Sequence, residues 1–313
     1  MPRLTLHMLT RRIKLPCMKI LSPADIKRVT TRNNYRAALI LTYDWLLITG
    51  AFMLAARFPS ILSVLAATFV IGARQLALGI IVHETGHQSF FQHKSANELV
   101  GSWLSGYWIF SSQRNYMKGH IQHHRLAGTT QDPDLKNYQA YPVSKDSFKR
   151  KVFRDLSGQT GWRRLKSIGR SIRNYRNLDV ESQKAVRGGL IVNLALLGLF
   201  IYLQVAWLML IWIGAFATTH MLCTRLRQVA EHAAVPDLYD KDARQNTRTL
   251  KTDWWERLLI APHQISFHME HHLMPSVPMY HLPLLHRLLA EQGYFKNMTF
   301  TRGFIPLFKE VTL

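Results

Sequence analysis

The sequence predicts an all-α membrane protein: four transmembrane helices in two hairpins under a cytosolic helical cap that holds a histidine-rich di-metal site. Three observations carry this. Hydrophobic residues make up 48% of the 313, yet the formal net charge is +21, so apolar and basic characters must be segregated along the chain. Apolar stretches of the roughly 20 residues that cross a bilayer alternate with stretches rich in Lys and Arg. Nine of the fifteen histidines fall into compact groups at helical spacing.

Residues 1–37 read as a basic cytosolic segment with an interfacial helix. Nine Lys and Arg precede Ala38, and no apolar core of a signal peptide is present. Ser22-Pro23 has the form of a cap and first helical turn, and Met18 offers a second start site. Residues 38–83 form the first hairpin, from the apolar runs Ala38 to Ala56 and Ile61 to Val82. Asp44 interrupts the first run and Arg74 the second, at nearly equal depths. A charge inside a bilayer is usually paired or faces a polar cavity, so the two are expected to form a buried ion pair. The alternative has Arg74 snorkelling to the surface and Asp44 bonding locally.

Residues 84–187 make a cytosolic segment. Its apolar patch Leu99 to Phe110 is too short to span, contains Ser102, Ser105 and Gly106, and reads as re-entrant or interfacial. From Lys145 to Arg176, eleven Lys and Arg face only Asp146 and Asp155, interleaved with Phe148, Phe153, Trp162, Leu165 and Ile168. That pattern describes helices lying on an anionic membrane surface; a solvated linker and a docking face for an acidic electron carrier are the alternatives. Residues 188–223 are too long for one span, and with Gln204 near the middle they read as two helices joined by a short turn. Residues 224–313 form a cytosolic C-terminal segment.

Lys and Arg placement sets the orientation. The connection after the first helix offers only Arg57 and the one around Gln204 none, so both termini and the central segment are expected in the cytoplasm, at an inner (plasma) membrane. The histidine groups then share one membrane face. Two cysteines, Cys17 and Cys223, supply no disulfide framework. There is no repeat of fixed period and no phosphate-binding Gly-rich loop. Nucleic acid explains the charge poorly, because the basic residues flank the apolar segments.

The histidine groups are His83 and His87; His120, His123 and His124; His232 alone; and His268, His271 and His272. Residues three and four apart share a helix face, so each multiple group points its imidazoles one way. Neutral imidazole suits iron, copper, nickel and zinc better than calcium or magnesium. Nine imidazoles exceed what a single zinc takes, and two metal ions is the economical reading. His7, His93, His220, His281 and His286 read as ordinary core or surface residues, while His263, near the last group, is a candidate additional ligand. His83-Glu84-Thr85-Gly86-His87 also fits the zincin pattern with Glu84 as general base, but that would leave the other grouped histidines idle.

The chain resembles the integral-membrane fatty acid desaturases, in their bacterial acyl-lipid-type form. The resemblance rests on HETGHQSFF, GHIQHHRLAGTTQDPD, AEHAAVPD, NTRTL and FHMEHHLMPSVP, in that order, and covers roughly residues 72 to 289. It implies a centre of two non-haem iron ions on the cytosolic side, O2 as co-substrate, a lipid or acyl-chain substrate, and electrons from a separate donor such as ferredoxin or a haem electron carrier. Carried across residue by residue, the implied ligands are His83, His87, His120, His123, His124, His232, His268, His271 and His272. Where acyl-CoA members place an Asn, this chain has Gln228, an additional candidate donor. The implied reaction removes two hydrogens from an acyl chain. Hydroxylation or ketolation of a lipid, carotenoid or small apolar molecule by the same centre is the alternative, and a non-catalytic metal-binding membrane protein the remaining one.

Overall fold

The computed structural model describes residues 20–313; the N-terminal basic residues up to Lys19, with His7, Cys17 and the second start site Met18, lie outside them. The chain opens with α1 (Pro23–Thr30), where Ser22 accepts from the Asp25 amide as the cap reading requires. It continues with α2 (Asn34–Arg57) and α3 (Ile61–Gly86). Ser60 and Ser63 cap α3 reciprocally, which lets the chain reverse in three residues. The second pair is α8 (Val180–Tyr202) with α9 (Leu208–Ala217) and α10 (Thr219–His232). Gln204 makes the turn between them in a left-handed conformation, φ 59°.

The structure thus holds four helical stretches long and apolar enough to cross a membrane, Pro23–Arg57, Ile61–Gly86, Val180–Tyr202 and Leu208–His232. Two of them differ from simple rods, the first being interrupted between α1 and α2 at residues 31–33. The fourth breaks at Thr218, whose hydroxyl takes the carbonyl of Gly214 at 2.6 Å and so competes with the backbone ladder. Beyond the break, α10 packs tightly on α3: a Cβ at Gly72 would collide with Thr219 and the His220 backbone.

Between the hairpins lie α4 (Lys94–Trp103), a 3-10 turn (Gly106–Ile109), α5 (Gln113–Leu126), α6 (Lys145–Leu156) and α7 (Gln159–Arg173). The short apolar patch is the end of α4 plus the 3-10 turn. Trp108 from that turn packs beside Trp45 and Trp212, at ring separations of 4.6 and 6.1 Å, inside the apolar core of α2, α3, α8 and α9. After α10 come α11 (Ala243–Asn246), α12 (Trp254–Leu259), α13 (His268–Leu273), α14 (Leu282–Glu291) and α15 (Phe304–Val311). Among the described residues there are no strands, only isolated bridges such as Val143 with Thr312.

The two intramembrane charges meet. Arg74 Nη1 donates to Asp44 Oδ1 at 3.0 Å, and both side chains are buried. The cluster is larger than a pair: Arg74 Nη2 also donates to the carbonyls of Arg257 and Leu258 in α12, and His263 Nε2 lies 2.9 Å from Asp44 Oδ2. One charge cluster therefore ties the first hairpin to the segment that leads into α13.

Candidate metal centre

Each histidine group sits where a helix ends against a neighbour. His83 is in the last turn of α3 and His87 is its C-cap, so the pair faces out of the helix top. His120, His123 and His124 lie along one side of α5, which Ser112 caps by accepting from the Asn115 amide. Gly86 is what lets α5 approach: a side chain there would strike Met117. His232 is the last residue of α10, and His268, His271 and His272 fill the short α13.

The nine imidazoles converge as two sets: His83, His87, His120, His124 and His271, and His123, His232, His268 and His272. Within each set all donor atoms lie within 4.8 Å of one another. In the first, Nε2 to Nε2 distances are 3.0 Å for His87–His120 and His120–His124, and 2.9 Å for His124–His271 and His271–His83. In the second they are 3.3 Å for His123–His272, 3.1 Å for His272–His268 and 3.0 Å for His268–His232. Hydrogen bonding cannot account for this. A ring nitrogen carries either one proton or one lone pair in the ring plane, so His120, His124 and His271 cannot each serve two partners. A cation at the centre can. With metal–nitrogen bonds of about 2.1 Å, ligands about 90–109° apart place their nitrogens roughly 3.0–3.4 Å from each other. The donor sets therefore fit two metal ions.

The outer nitrogens of His83, His123 and His232 are held so that Nε2 faces inward. His83 Nδ1 meets Glu84 Oε1 at 3.0 Å, and Glu84 is fixed by Ser89 Oγ at 3.2 Å and the Met279 amide at 2.8 Å. His123 Nδ1 meets Asp132 Oδ1 at 2.9 Å, and Tyr138 donates to the same carboxylate. His232 Nδ1 donates to the Asn246 carbonyl at 3.0 Å. His268 Nδ1 lies 3.4 Å from Glu231 Oε1, which Arg227 holds at 2.6 Å. A partner on the outer nitrogen fixes tautomer and ring orientation and raises donor strength. Replacing Asp132 with Asn keeps the shape but removes the charge, and is expected to weaken metal retention by about 10–100-fold. Titrating the Asp132→Asn variant with a competing chelator checks this; unchanged retention would contradict it.

Six of these imidazoles are also kept neutral. Burial pushes His87 down to about 4. Burial first, and neighbouring imidazoles second, hold His120, His124, His268, His271 and His272 well below the usual range. Because these folded-state values are depressed, the unfolded chain takes up more protons below about pH 6.5. Thermal unfolding of metal-stripped protein should show stability level above about pH 6.5 and falling steadily as pH drops toward 4; stability that rises over that interval would refute the assignment.

His263 stands apart from both sets, against Asp44. Gln228 lines a polar cavity of about 220 Å³ together with Arg227, Asp134, His123, His232 and His268. Glu84 grips the outer nitrogen of His83, on the side away from the converging Nε2 atoms, where a zincin base would be out of place. Sequence reasoning missed Asp132, Glu231 and Glu270. Two of them sit directly beside a histidine, as Glu84 does, and that adjacency was the available signal. Glu270 binds Thr249 at 2.6 Å and His286, so His286 is a hydrogen-bonded residue beside the fourth group.

Residues 59–304 match the family described as fatty acid desaturase. The chain is 25% identical over 252 residues to dihydrorhizobitoxine desaturase of Bradyrhizobium elkanii, covering 74% of this chain and 69% of that one. It is 24% identical over 254 residues to an sn-1 oleoyl-lipid 12-desaturase of Picosynechococcus, covering 75% and 71%. It is 27% identical over 240 residues to a beta-carotene ketolase of Paracoccus, covering 74% and 82%. With two convergent histidine sets at the top of a four-span bundle and a family match over most of its length, the chain belongs to the fatty acid desaturase family and is a membrane-bound oxidoreductase.

Proposed function

We propose that the nine convergent histidines hold two non-haem iron ions, and that the protein uses O2 to desaturate an acyl chain carried by a membrane lipid or a thioester. The convergence of two sets of Nε2 atoms on two points is the observation that carries this reading. Overall, one O2, two electrons and two protons take two hydrogens from neighbouring carbons, leaving an alkene and two waters. The electrons come from a separate donor, such as ferredoxin or a haem electron carrier. Bound iron would supply the oxidising power against an unactivated methylene that side chains lack, and the protein supplies position. Glu84 and Asp132 hold His83 and His123 in register. Burial keeps His87, His120, His124, His268, His271 and His272 neutral, and the α3–α5 contact at Gly86 brings the first two histidine groups together.

A second reading, insertion of oxygen into an apolar substrate, is favoured by the 27% identity to a beta-carotene ketolase across 82% of that protein. The two outcomes depend on where the substrate carbon is held, so the products decide. Lipid extracts of cells expressing the chain should gain a double bond that is absent with His271→Ala; new hydroxyl or keto products, with no alkene, would overturn the desaturase reading.

The histidine face is proposed to be cytoplasmic, in an inner membrane, because Lys and Arg crowd that side. Engineered cysteines at positions 144, 240 and 313 should then label only from the cytoplasm, and at 59 and 204 only from outside. Labelling of position 144 from outside intact cells would reverse the orientation.

A further inference from the structure

The basic segment Lys145 to Arg176 is not used by the metal centre. It folds as α6 and α7 joined at Gly158, whose φ of 80° allows the tight reversal. Asp155 at the end of α6 pairs with Arg225 of α10, and α7 is pressed against the α9–α10 break. At Gly161 any Cβ would overlap the Ala217 backbone.

That contact sets a depth. Ala217 is the tenth residue of α9, about 14 Å along a helix rising 1.5 Å per residue from the turn on the far side of the membrane. Against a hydrocarbon layer about 30 Å thick, the first turn of α7 is therefore level with acyl chains, deeper than a soluble protein reaches. The side chains agree. Phe153 and Trp162 are 65% and 60% exposed, and Leu156 and Ile172 are exposed as well. Exposed Arg163, Lys166, Arg170 and Arg173 stand beside them, and Lys166 Nζ lies 5.9 Å from the Trp162 ring centroid. Apolar side chains at acyl depth with long cationic arms able to reach up are how a helix holds negatively charged headgroups.

We propose that α6 and α7 form a binding surface for anionic phospholipid, with Trp162 and Phe153 among the acyl chains and the α7 basic side chains on the headgroup phosphates. An acidic redox partner would instead need this face in water. The surface fits a two-dimensional ligand, a leaflet carrying negative charge, at the point where the fourth span bends.

The test uses the full chain with Trp162→Cys in a Cys17→Ser, Cys223→Ser background, labelled with a small fluorophore and reconstituted in vesicles of phosphatidylcholine mixed with phosphatidylglycerol. Bromine is placed on the acyl chains of one lipid or the other. Quenching by brominated phosphatidylglycerol should exceed that by brominated phosphatidylcholine at equal mole fraction by about threefold or more. The added substitutions Arg163→Gln, Lys166→Gln, Arg170→Gln and Arg173→Gln, all at exposed positions, should erase the difference while leaving the quenching itself. Equal quenching by the two lipids would overturn the headgroup preference. Absence of quenching by either would place the face in water and point to a soluble acidic partner instead.

Discussion

Replacing His124 with Ala is expected to abolish turnover, a loss of several orders of magnitude, while the protein still inserts and stays folded. His124 Nε2 stands between His120 Nε2 at 3.0 Å and His271 Nε2 at 2.9 Å, so it links the second and fourth histidine groups within one donor set. It lies on α5, whose cap at Ser112 and whose Met117 contact with Gly86 do not involve the ring. The loss is therefore one of donor and not of fold. His272→Ala should do the same to the other set, where His272 is 3.3 Å from His123 and 3.1 Å from His268. The measurement is product formation per folded chain, with detergent gel filtration as the control for folding. Full activity of either variant would show that these nitrogens are not ligands.

The second large effect concerns the charge cluster in the first hairpin. Breaking a buried pair by removing one partner costs about 3–5 kcal/mol, because a buried charge is left uncompensated. Asp44→Asn strands Arg74 and loosens His263; Arg74→Gln strands Asp44 and frees the carbonyls of Arg257 and Leu258. Each single variant should sharply lower folded yield, and the double variant should recover a large part of the loss. Recovery will be incomplete, since the α12 carbonyls lose their donor in any Arg74 variant. Strict additivity of the two defects would mean that the residues do not interact.

The helical period made much of this fold legible. Apolar runs of the right length marked the spans, Gln204 marked the second turn, and spacings of three and four placed the histidines on shared faces. Equal depth in the hairpin suggested pairing Asp44 with Arg74 but left a snorkelling Arg74 open, which the 3.0 Å bond between them closes. What stayed hidden depends on tertiary approach. No local pattern says that α12 folds back to cap Arg74, or that His263 is drawn to Asp44 and away from the metal donors. The break at Thr218 has no proline to announce it; it arises where Thr219 and His220 must crowd against Gly72. Asp132 lies nine positions from His123 and meets it only because the chain turns after α5. Which imidazoles converge with which was equally out of reach: His123 and His124 are neighbours in sequence yet belong to different sets.

The most direct test is the metal content of the purified chain. After anaerobic loading with ferrous iron in mild detergent, the two histidine sets should retain close to two irons per chain and little zinc. His124→Ala and His272→Ala should each lose about one of the two. A single tightly held zinc, or iron retention unaffected by both substitutions, would contradict a di-iron centre built from these nine histidines.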